Sequence, residues 1–476
     1  MKQNRPNILL LTSDQQRYDT LGCNGNKWVR TPHLDALAAG GVNFQRAFIQ
    51  NTVCIPSRAC LQTGRYIHQH GCDYMEDIID DTPGLPAWEI TFMERLQAAG
   101  YKTAAYGKLH MMPHKGFHHQ QVCGGKGVRW TKSAGQEIGL GPLGRDYAAW
   151  LEAKHPGAYE MIYTQRREQE WKDWRGAITN VLPLEEYVDY WCTENTIKRI
   201  KASKGAAEPF FIWCGFCGPH DPMDPPKPYD KLYPYDSIPL PPNYHYGRDG
   251  KPRTTTPQED AVARRFISHY YGQITLIDDM VGRIVEALKE TGQLDDTLII
   301  YTSDHGEMLW EFNRTGKVVF NESVLRVPFI VVPPATAGHA SANGNSAEAW
   351  HPLRGNTEEM VEIFDLAPTI LDYARAGVPP IMAARTLRPI LEGAGRGRDV
   401  ALCQFVASNR AFKGICLRTK GHKYVQWSDA RGDEFYDLDR DPLERTNLIN
   451  DPASRELVEQ HRRLLVARLM ETGNRM

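Results

Sequence analysis

Short apolar runs that end in polar residues recur along this chain and constrain its fold more than any other feature. Examples are PNILLLTSD at 6–14, YKTAAYGK at 101–108, PFFIWCGF at 209–216 and DTLIIYTSD at 296–304. Continuous apolar runs of this length are typical of strands buried on both faces of a parallel sheet. Helical patterns separate them, among them HLDALAAGG and QITLIDDMVGRIVEALKETG. This alternation predicts an α/β fold with a mostly parallel central sheet flanked by helices.

The predicted strands place chemically active side chains at one edge of that sheet. Asp14, Lys108, His220 and Asp304 each fall at or just beyond the end of an apolar run. Ligands of open α/β sheets bind beyond the carboxyl ends of the strands. We therefore expect these side chains to meet in one site.

The remaining stretches suggest how the rest of the chain is organised. Residues 111–185 are rich in Gly, His and Trp and predict loops that shape a pocket, and the proline-dense segment 225–244 is expected to wrap the surface. Beyond the glycine-rich EGAGRGRD, alternating segments and a final helical stretch predict a small antiparallel subdomain. We expect a large α/β domain over 1–395 and a C-terminal α+β subdomain over 396–476.

Composition excludes some partners and favours a compartment. The chain has 56 basic and 58 acidic residues, so no overall charge favours nucleic acid or an anionic membrane. The apolar run at the start is too short to span a bilayer, and ten irregularly spaced cysteines do not suggest a disulfide framework. We expect a cytoplasmic protein, or a periplasmic one if a leader was removed.

The segment CIPSRACLQTGR at 54–65 is the most specific motif in the chain. Taken alone, Cys54 is a buried thiol or a reactive one, since Pro56 fixes the backbone and Arg58 offers a planar donor fork suited to an oxyanion. The residue types by themselves leave both interpretations open. The other motifs along the chain favour the reactive one.

The segment resembles the signature of the sulfatase family, whose cysteine is oxidised to formylglycine after synthesis. Further motifs follow in the family's order, and the resemblance covers nearly the whole chain. They are Asp14-Gln15, Gly107-Lys108-Leu109-His110, Gly218-Pro219-His220, Asp304-His305-Gly306-Glu307, Lys317 and the closing FYDLDRDPLERTNL. The resemblance implies an alkaline-phosphatase-like fold, a formylglycine-generating or anaerobic maturation enzyme as a partner, and a small-molecule sulfate ester as the substrate.

The resemblance also implies a role for each matching residue. The aldehyde formed from Cys54 hydrates to a diol, of which one hydroxyl attacks sulfur and the other allows the covalent sulfate ester to collapse. Arg58 would hold the formylglycine, and Lys108 and Lys317 would neutralise the sulfate oxygens. His220 would protonate the leaving alkoxide, and His110 would help remove the proton of the second hydroxyl.

A single divalent metal ion is expected at the same place. The implied ligands are Asp14, Gln15, Asp304 and His305. Because most of these donors are oxygens, calcium is the first choice, while the imidazole nitrogen of His305 makes manganese the alternative.

The chain departs from the common sulfatase pattern at two places, which bear on the substrate. Many sulfatases have Asp-Asp where this chain has Asp14-Gln15, a pair that also resembles phosphonate monoester hydrolases and choline sulfatases. Beyond Glu307 the sequence also differs, and we expect Trp310, Glu311 and Arg314 to line the pocket for the organic group. A phosphodiesterase or phosphonate monoester hydrolase of the same fold therefore remains an alternative to a sulfatase. A non-catalytic anion-binding protein is a further one, and a homo-oligomer is possible.

Overall fold

A mixed eight-stranded sheet forms the centre of the molecule in the computed structural model, which describes residues 5–73, 84–111, 113–126, 145–247, 249–335, 353–407 and 411–473. Its strands are β1 (Asn7–Asp14), β2 (Val42–Phe48), β3 (Lys102–Lys108), β4 (His119–Cys123), β5 (Phe210–Pro219), β6 (Thr297–Ser303), β7 (Phe329–Val332) and β8 (Gly355–Glu362). Their spatial order is β4-β3-β5-β1-β6-β7-β2-β8. Only β7 runs antiparallel to its neighbours, so the predicted mostly parallel sheet is confirmed.

Helices cover both faces of this sheet. The helices in the described part of the chain are α1 (Pro32–Gly40), α2 (Cys54–Thr63), α3 (Ile67–His70), α4 (Phe92–Ala98), α5 (Arg145–Lys154), α6 (Ala158–Gln165), α7 (Gln169–Asp173), α8 (Val188–Ala202), α9 (Pro257–Glu290), α10 (Glu322–Leu325), α11 (Leu366–Tyr373), α12 (Arg388–Leu391) and α13 (Arg455–Gly473). The last of them, α13, packs against the C-terminal part of the chain instead. Alternate residues of β1 belong to two separate cores, with Ile8 and Leu10 on one face and Leu9 and Leu11 on the other. Burial on both faces explains why the strands read as continuous apolar runs.

A second sheet follows the main one, as the C-terminal pattern predicts. It has four antiparallel strands in the order β12-β11-β10-β9, namely β9 (Ala401–Val406), β10 (Lys413–Arg418), β11 (His422–Trp427) and β12 (Glu434–Asp437). The backbone N–H of Gln404 donates to the carbonyl of Gln50 at 2.9 Å, which joins this sheet to the segment before α2. The predicted boundary at residue 395 stays a prediction.

The expectation of loops over 111–185 is wrong for much of that stretch. It contains β4 and helices α5 to α7, while 127–144 lies outside the described residues. Tyr147 and Leu151 of α5 and Tyr159 and Ile162 of α6 are buried in the core that packs on β5. Interspersed charged residues mask this helical spacing in the sequence. The loop expectation therefore failed because short amphipathic helices gain most of their stability from packing.

The proline-dense segment 225–244 is more buried than expected. Tyr229, Tyr233 and Tyr244 are each less than a tenth exposed and belong to cores that also contain residues of α9. In the described part of the chain, no helix combines the length and the apolar character needed to cross a bilayer.

Candidate active site

Adjacent strands of the sheet bring the predicted site residues together at their carboxyl ends. Asp14 ends β1, Lys108 ends β3, His220 follows β5 and Asp304 follows β6, and these strands are neighbours in the order β3-β5-β1-β6. The expectation that these side chains meet is thus confirmed by the topology.

Arg58 binds two carboxylates at the centre of this edge. Its Nη2 lies 3.0 Å from Oδ2 of Asp14 and its Nε lies 2.8 Å from Oδ2 of Asp304, with all three side chains at most 2% exposed. The ammonium of Lys108 lies 2.6 Å from the same Asp14 oxygen. Burial alone would raise the pKa of Asp14, but Lys108, His220 and Arg58 together hold it well below its usual value. Both carboxylates are therefore ionised despite their burial.

Cys54 is the first residue of α2 and is fully buried. Its Sγ lies 2.8 Å from Nζ of Lys317 and 3.0 Å from Nε2 of His305. The N-terminus of a helix carries a partial positive charge, which adds to that of the nearby ammonium. The sulfur position is thus suited to an anionic group.

The rest of the CIPSRACLQTGR motif fixes the position of α2. The hydroxyl of Ser57 donates to the carbonyl of Asp304 at 2.6 Å, which ties the helix to the end of β6. Gly64 ends the helix with φ at 66°, and its N–H donates to the carbonyl of Cys60. That left-handed conformation favours glycine, and Arg65 then pairs with the buried Glu89 at 2.9 Å. Much of the motif is therefore structural support for Cys54 and Arg58.

Three of the four predicted metal ligands, Asp14, Asp304 and His305, converge together with Cys54. Asp14, Cys54, Asp304 and His305 each offer one ligand atom, and these atoms all lie within 4.8 Å of one another. Oδ1 of Asp14 is buried and has no hydrogen-bond partner among the described residues. An unpartnered carboxylate oxygen beside other hard donors fits a divalent cation.

The side chain of Gln15, the fourth predicted ligand, is linked to this donor set through Lys317. Its Oε1 accepts a hydrogen bond from Nζ of Lys317 at 3.0 Å, and its backbone has a left-handed φ of 66°. Burial lowers the pKa of His305 to about 4, so its ring is neutral near pH 7 and has a lone pair to offer.

The ammonium of Lys317 contacts several side chains of the site. Besides Cys54 and Gln15, its Nζ lies 3.0 Å from Nε2 of His305 and 3.2 Å from Nε2 of His220. Burial would lower the pKa of Lys317, but Cys54 and the acidic side chains nearby raise it above its usual value. The ammonium therefore supplies a permanent positive charge beside residue 54.

His220 follows β5 and His110 follows β3, so both lie on the same side of Asp14 in the strand order. Nδ1 of His220 lies 2.8 Å from the carbonyl of Asp221, and its Nε2 lies 3.9 Å from Oδ1 of Asp14. His110 is 2% exposed, and burial followed by the charge of Lys108 lowers its pKa well below the usual value. The ring of His110 is therefore neutral near pH 7.

Two supporting residues carry no role in the sequence-based reasoning. The side-chain amide of Gln15 donates to the buried carboxylate of Glu307, which also accepts the N–H of Leu309 at 3.2 Å. The hydroxyl of Tyr270, on α9, donates to the carbonyl of Gln15 at 2.7 Å. The position of Glu307 in the Asp-His-Gly-Glu motif could have indicated a role in the site. No residue near Tyr270 in the sequence indicates its contact with Gln15.

The expected pocket residues do not share one pocket. Trp310 lines a cavity with Arg175 and Asn313, whereas Glu311 lines a separate cavity and pairs with Arg17 at 2.7 Å. The left-handed φ of 71° at Trp310 turns the chain sharply between the two side chains. Arg314 donates to the carbonyl of Lys317 at 3.2 Å.

Comparisons with known proteins match nearly the whole chain. The sequence model described as Sulfatase matches residues 6–376, and one described as N-sulphoglucosamine sulphohydrolase, C-terminal, matches 311–471. An arylsulfatase of Clostridium perfringens is 29% identical, over 98% of this chain and 94% of that protein. A multifunctional alkaline phosphatase superfamily protein of Trinickia caryophylli is 27% identical, over 96% and 94%. The crystal structure of a phosphonate monoester hydrolase of Agrobacterium radiobacter superposes with a TM-score of 0.77 at 23% identity, over 98% and 96%.

Proposed function

Because this chain belongs to the sulfatase family of sulfuric ester hydrolases, we propose that it hydrolyses a sulfate monoester with a nucleophile formed from Cys54. A maturation enzyme, formylglycine-generating or anaerobic, oxidises the Cys54 thiol to formylglycine. When formed, that aldehyde supplies a hydrated carbon whose hydroxyl group attacks the ester.

The surroundings of Cys54 carry this proposal. The sulfur of Cys54, at the start of α2, lies 2.8 Å from the Lys317 ammonium. Arg58 and Lys108 both bind Asp14 in the same site. These three cations face the two carboxylates Asp14 and Asp304, so a divalent ion would leave the site positive overall. A site of this charge favours an anionic ester and stabilises charge that develops on its oxygens.

The donor set supports one divalent metal ion. Asp14, Gln15, Asp304 and His305 would hold it, with the unpartnered Oδ1 of Asp14 as a ligand atom. The ion would supply concentrated positive charge that makes a bound hydroxyl group easier to deprotonate. Oxygen donors favour calcium, and the nitrogen of His305 keeps manganese as the alternative.

The chain's own side chains then divide the remaining tasks. Lys108 and Lys317 neutralise the sulfate oxygens. Arg58 fixes the positions of the Asp14 and Asp304 carboxylates and of residue 54. His220 donates a proton to the leaving alkoxide, since its Nδ1 is held by the carbonyl of Asp221 and its Nε2 faces Lys317 and Asp14. The neutral ring of His110 accepts the proton released when the enzyme is regenerated.

A phosphodiester or a phosphonate monoester is the second candidate substrate. Each carries one negative charge, as a sulfate monoester does, whereas a phosphate monoester carries nearly two at neutral pH. The neutral Gln15 in place of an acidic ligand, and the relative named as multifunctional, support activity on several singly charged esters. A non-catalytic anion-binding role is the third candidate, and it requires Cys54 to stay unmodified.

Matched nitrophenyl esters test the proposal. We expect the sulfate ester to give a higher kcat/KM than the phosphodiester or the phosphonate with the same matured preparation, and Cys54→Ala to abolish turnover of all three. A preference of tenfold or more for a phosphorus ester, about 1.4 kcal/mol, would reassign the enzyme to the phosphonate monoester hydrolases. No turnover of any ester by fully matured protein would favour anion binding alone.

A further inference from the structure

A cavity of about 640 Å³ lies between two segments that lead into the candidate site. Its lining includes Asp173, Trp174, Arg175, Arg253, Trp310 and Asn313. This volume is in the range of cavities that hold small organic ligands. None of these residues takes part in the chemistry proposed above.

The first segment is the loop over 307–317, whose tip lines the cavity and whose base enters the site. The N–H of Met308 donates to the carbonyl of Gly316 at 2.9 Å, and the N–H of Trp310 donates to the carbonyl of Arg314 at 2.8 Å. These bonds close the loop on itself. Trp310 is therefore fixed relative to Lys317, whose ammonium contacts Cys54.

The second segment follows α7 and is tied to the segment that carries His220. The N–H of Ile178 donates to the carbonyl of Met223, and the N–H of Asn180 donates to the carbonyl of Pro225, both at 3.2 Å. Arg175 lies just before these bonds. Both walls of the cavity are thus joined through the backbone to the segments that carry Lys317 and His220.

Backbone strain is concentrated in the walls of this cavity. Arg175, Trp310 and Asn313 have left-handed φ values of 50°, 71° and 53°, and Leu309 and Phe312 beside them have 47° and 51°. Such conformations are unfavourable for residues other than glycine and persist where the surrounding structure enforces them. Their concentration here indicates a binding surface with a defined shape.

One guanidinium in the cavity, that of Arg175, makes no ion pair with any residue in the described ranges, although the carboxylate of Asp173 also lines the cavity. The Arg175 guanidinium lies 4.9 Å from the ring centre of Trp310. Arg253, in contrast, pairs with Glu259 at 2.9 Å. An anionic group in the cavity would therefore pair with Arg175, while the indole rings of Trp174 and Trp310 suit the apolar face of a ring.

We propose that this cavity binds the organic part of the ester, a ring bearing a second anionic group, and that Arg175 pairs with that group. This inference rests on the proposed sulfatase function. It makes Arg175 a specificity-determining residue, and it predicts that the preferred substrates carry a carboxylate or a second sulfate besides the sulfate that is cleaved.

Matched pyranoside sulfates test this inference. The neutral arm, which has no charge besides the sulfate that is cleaved, is a methyl glucoside sulfated at one ring hydroxyl. It is prepared as the 2-, 3- and 4-sulfates. The charged arms are the corresponding glucuronides and the glucosides with an additional 6-sulfate. We expect the wild-type enzyme to prefer a charged arm, and Arg175→Gln to lower kcat/KM for that arm by about tenfold to a hundredfold more than for the neutral arm. Arg175→Lys should restore part of the preference.

Arg253→Gln is the matched control, because it removes an arginine of the same cavity that already has a partner. It should change the charged and neutral arms by the same factor. Equal losses on all arms for Arg175→Gln, or no preference in the wild-type enzyme while it hydrolyses nitrophenyl sulfate, would overturn the inference and leave the proposed function intact. Absence of turnover on nitrophenyl sulfate would instead overturn the proposed function.

Discussion

The ammonium of Lys317 lies 2.8 Å from the sulfur of Cys54, although the two residues are 263 positions apart in the chain. The same nitrogen contacts Gln15, His305 and His220, so one cation links the expected nucleophile, two metal ligands and the expected acid.

Lys317→Met should lower kcat/KM for nitrophenyl sulfate by about a hundredfold to a thousandfold, the usual cost of removing a donor that stabilises charge in the transition state. Lys317→Arg keeps the charge and should retain more activity. Lys102→Met, at the opposite end of β3 from Lys108 and about half exposed, is the control for loss of a lysine. Steady-state kinetics at constant ionic strength measure the effect, and equal activity of Lys317→Met and Lys102→Met would contradict the role.

His220→Ala should slow alkyl sulfates far more than nitrophenyl sulfate. Nitrophenolate leaves readily without a proton, whereas an alkoxide depends on general acid catalysis, which contributes about 10² to 10⁴ in rate. The exposed His118 offers a control substitution, His118→Ala. If His220→Ala slowed both ester classes equally, His220 would bind the ester and not donate a proton.

Asp14→Ala and Asp304→Ala should each lose the bound metal ion together with activity, because each removes a carboxylate from the converging donor set. Elemental analysis of the purified enzyme should give about one divalent ion per chain, the capacity of a single small carboxylate-rich site. Chelation should abolish turnover, and added calcium or manganese should restore it. Fully active enzyme without a stoichiometric divalent ion would rule out the metal site.

Acid should destabilise the fold through His269, which is 5% exposed on α9. Burial lowers the pKa of His269 to about 4, below that of an unfolded chain, so its contribution is complete above about pH 6.5 and is lost as the pH falls towards 4. The loss should reach about 1 to 3 kcal/mol in the free energy of unfolding.

His269→Gln removes this titration and keeps an N–H that can donate to the carbonyl of Arg265, which lies 3.0 Å from Nδ1 of His269. Denaturant unfolding of the wild-type protein and of His269→Gln should be compared between pH 7 and 4. The difference in their free energies of unfolding should become smaller as the pH falls. Parallel stability curves would show that His269 does not titrate in this range.

Most of the site was predictable because its residues follow local patterns. Apolar runs placed Asp14, Lys108, His220 and Asp304 at strand ends, and parallel pairing then brought those ends together. Cys54 was predicted from the CIPSRACLQTGR motif, most of whose residues lie in the single helix α2. The family resemblance, now matched over residues 6–376, supplied the individual roles, which stay predictions.

The features of the site that could not be predicted from the sequence depend on contacts between distant segments. Tyr270 supports Gln15 from the middle of a long helix, and nothing in its neighbourhood indicates this contact. The separation of Trp310 from Glu311 depends on left-handed backbone at Trp310, where residue type favours other conformations. The compartment, the oligomeric state and the maturation partner are likewise still predictions.

The chemical state of residue 54 tests the central claim most directly. Mass spectrometry of the peptide that contains Cys54 gives the fraction of chains in which an aldehyde replaces the thiol, and turnover of nitrophenyl sulfate is measured in the same preparations. Across preparations that differ in maturation, activity should rise in proportion to the aldehyde fraction and extrapolate to zero for the unmodified thiol. Full activity in a preparation whose residue 54 is entirely cysteine would contradict the account.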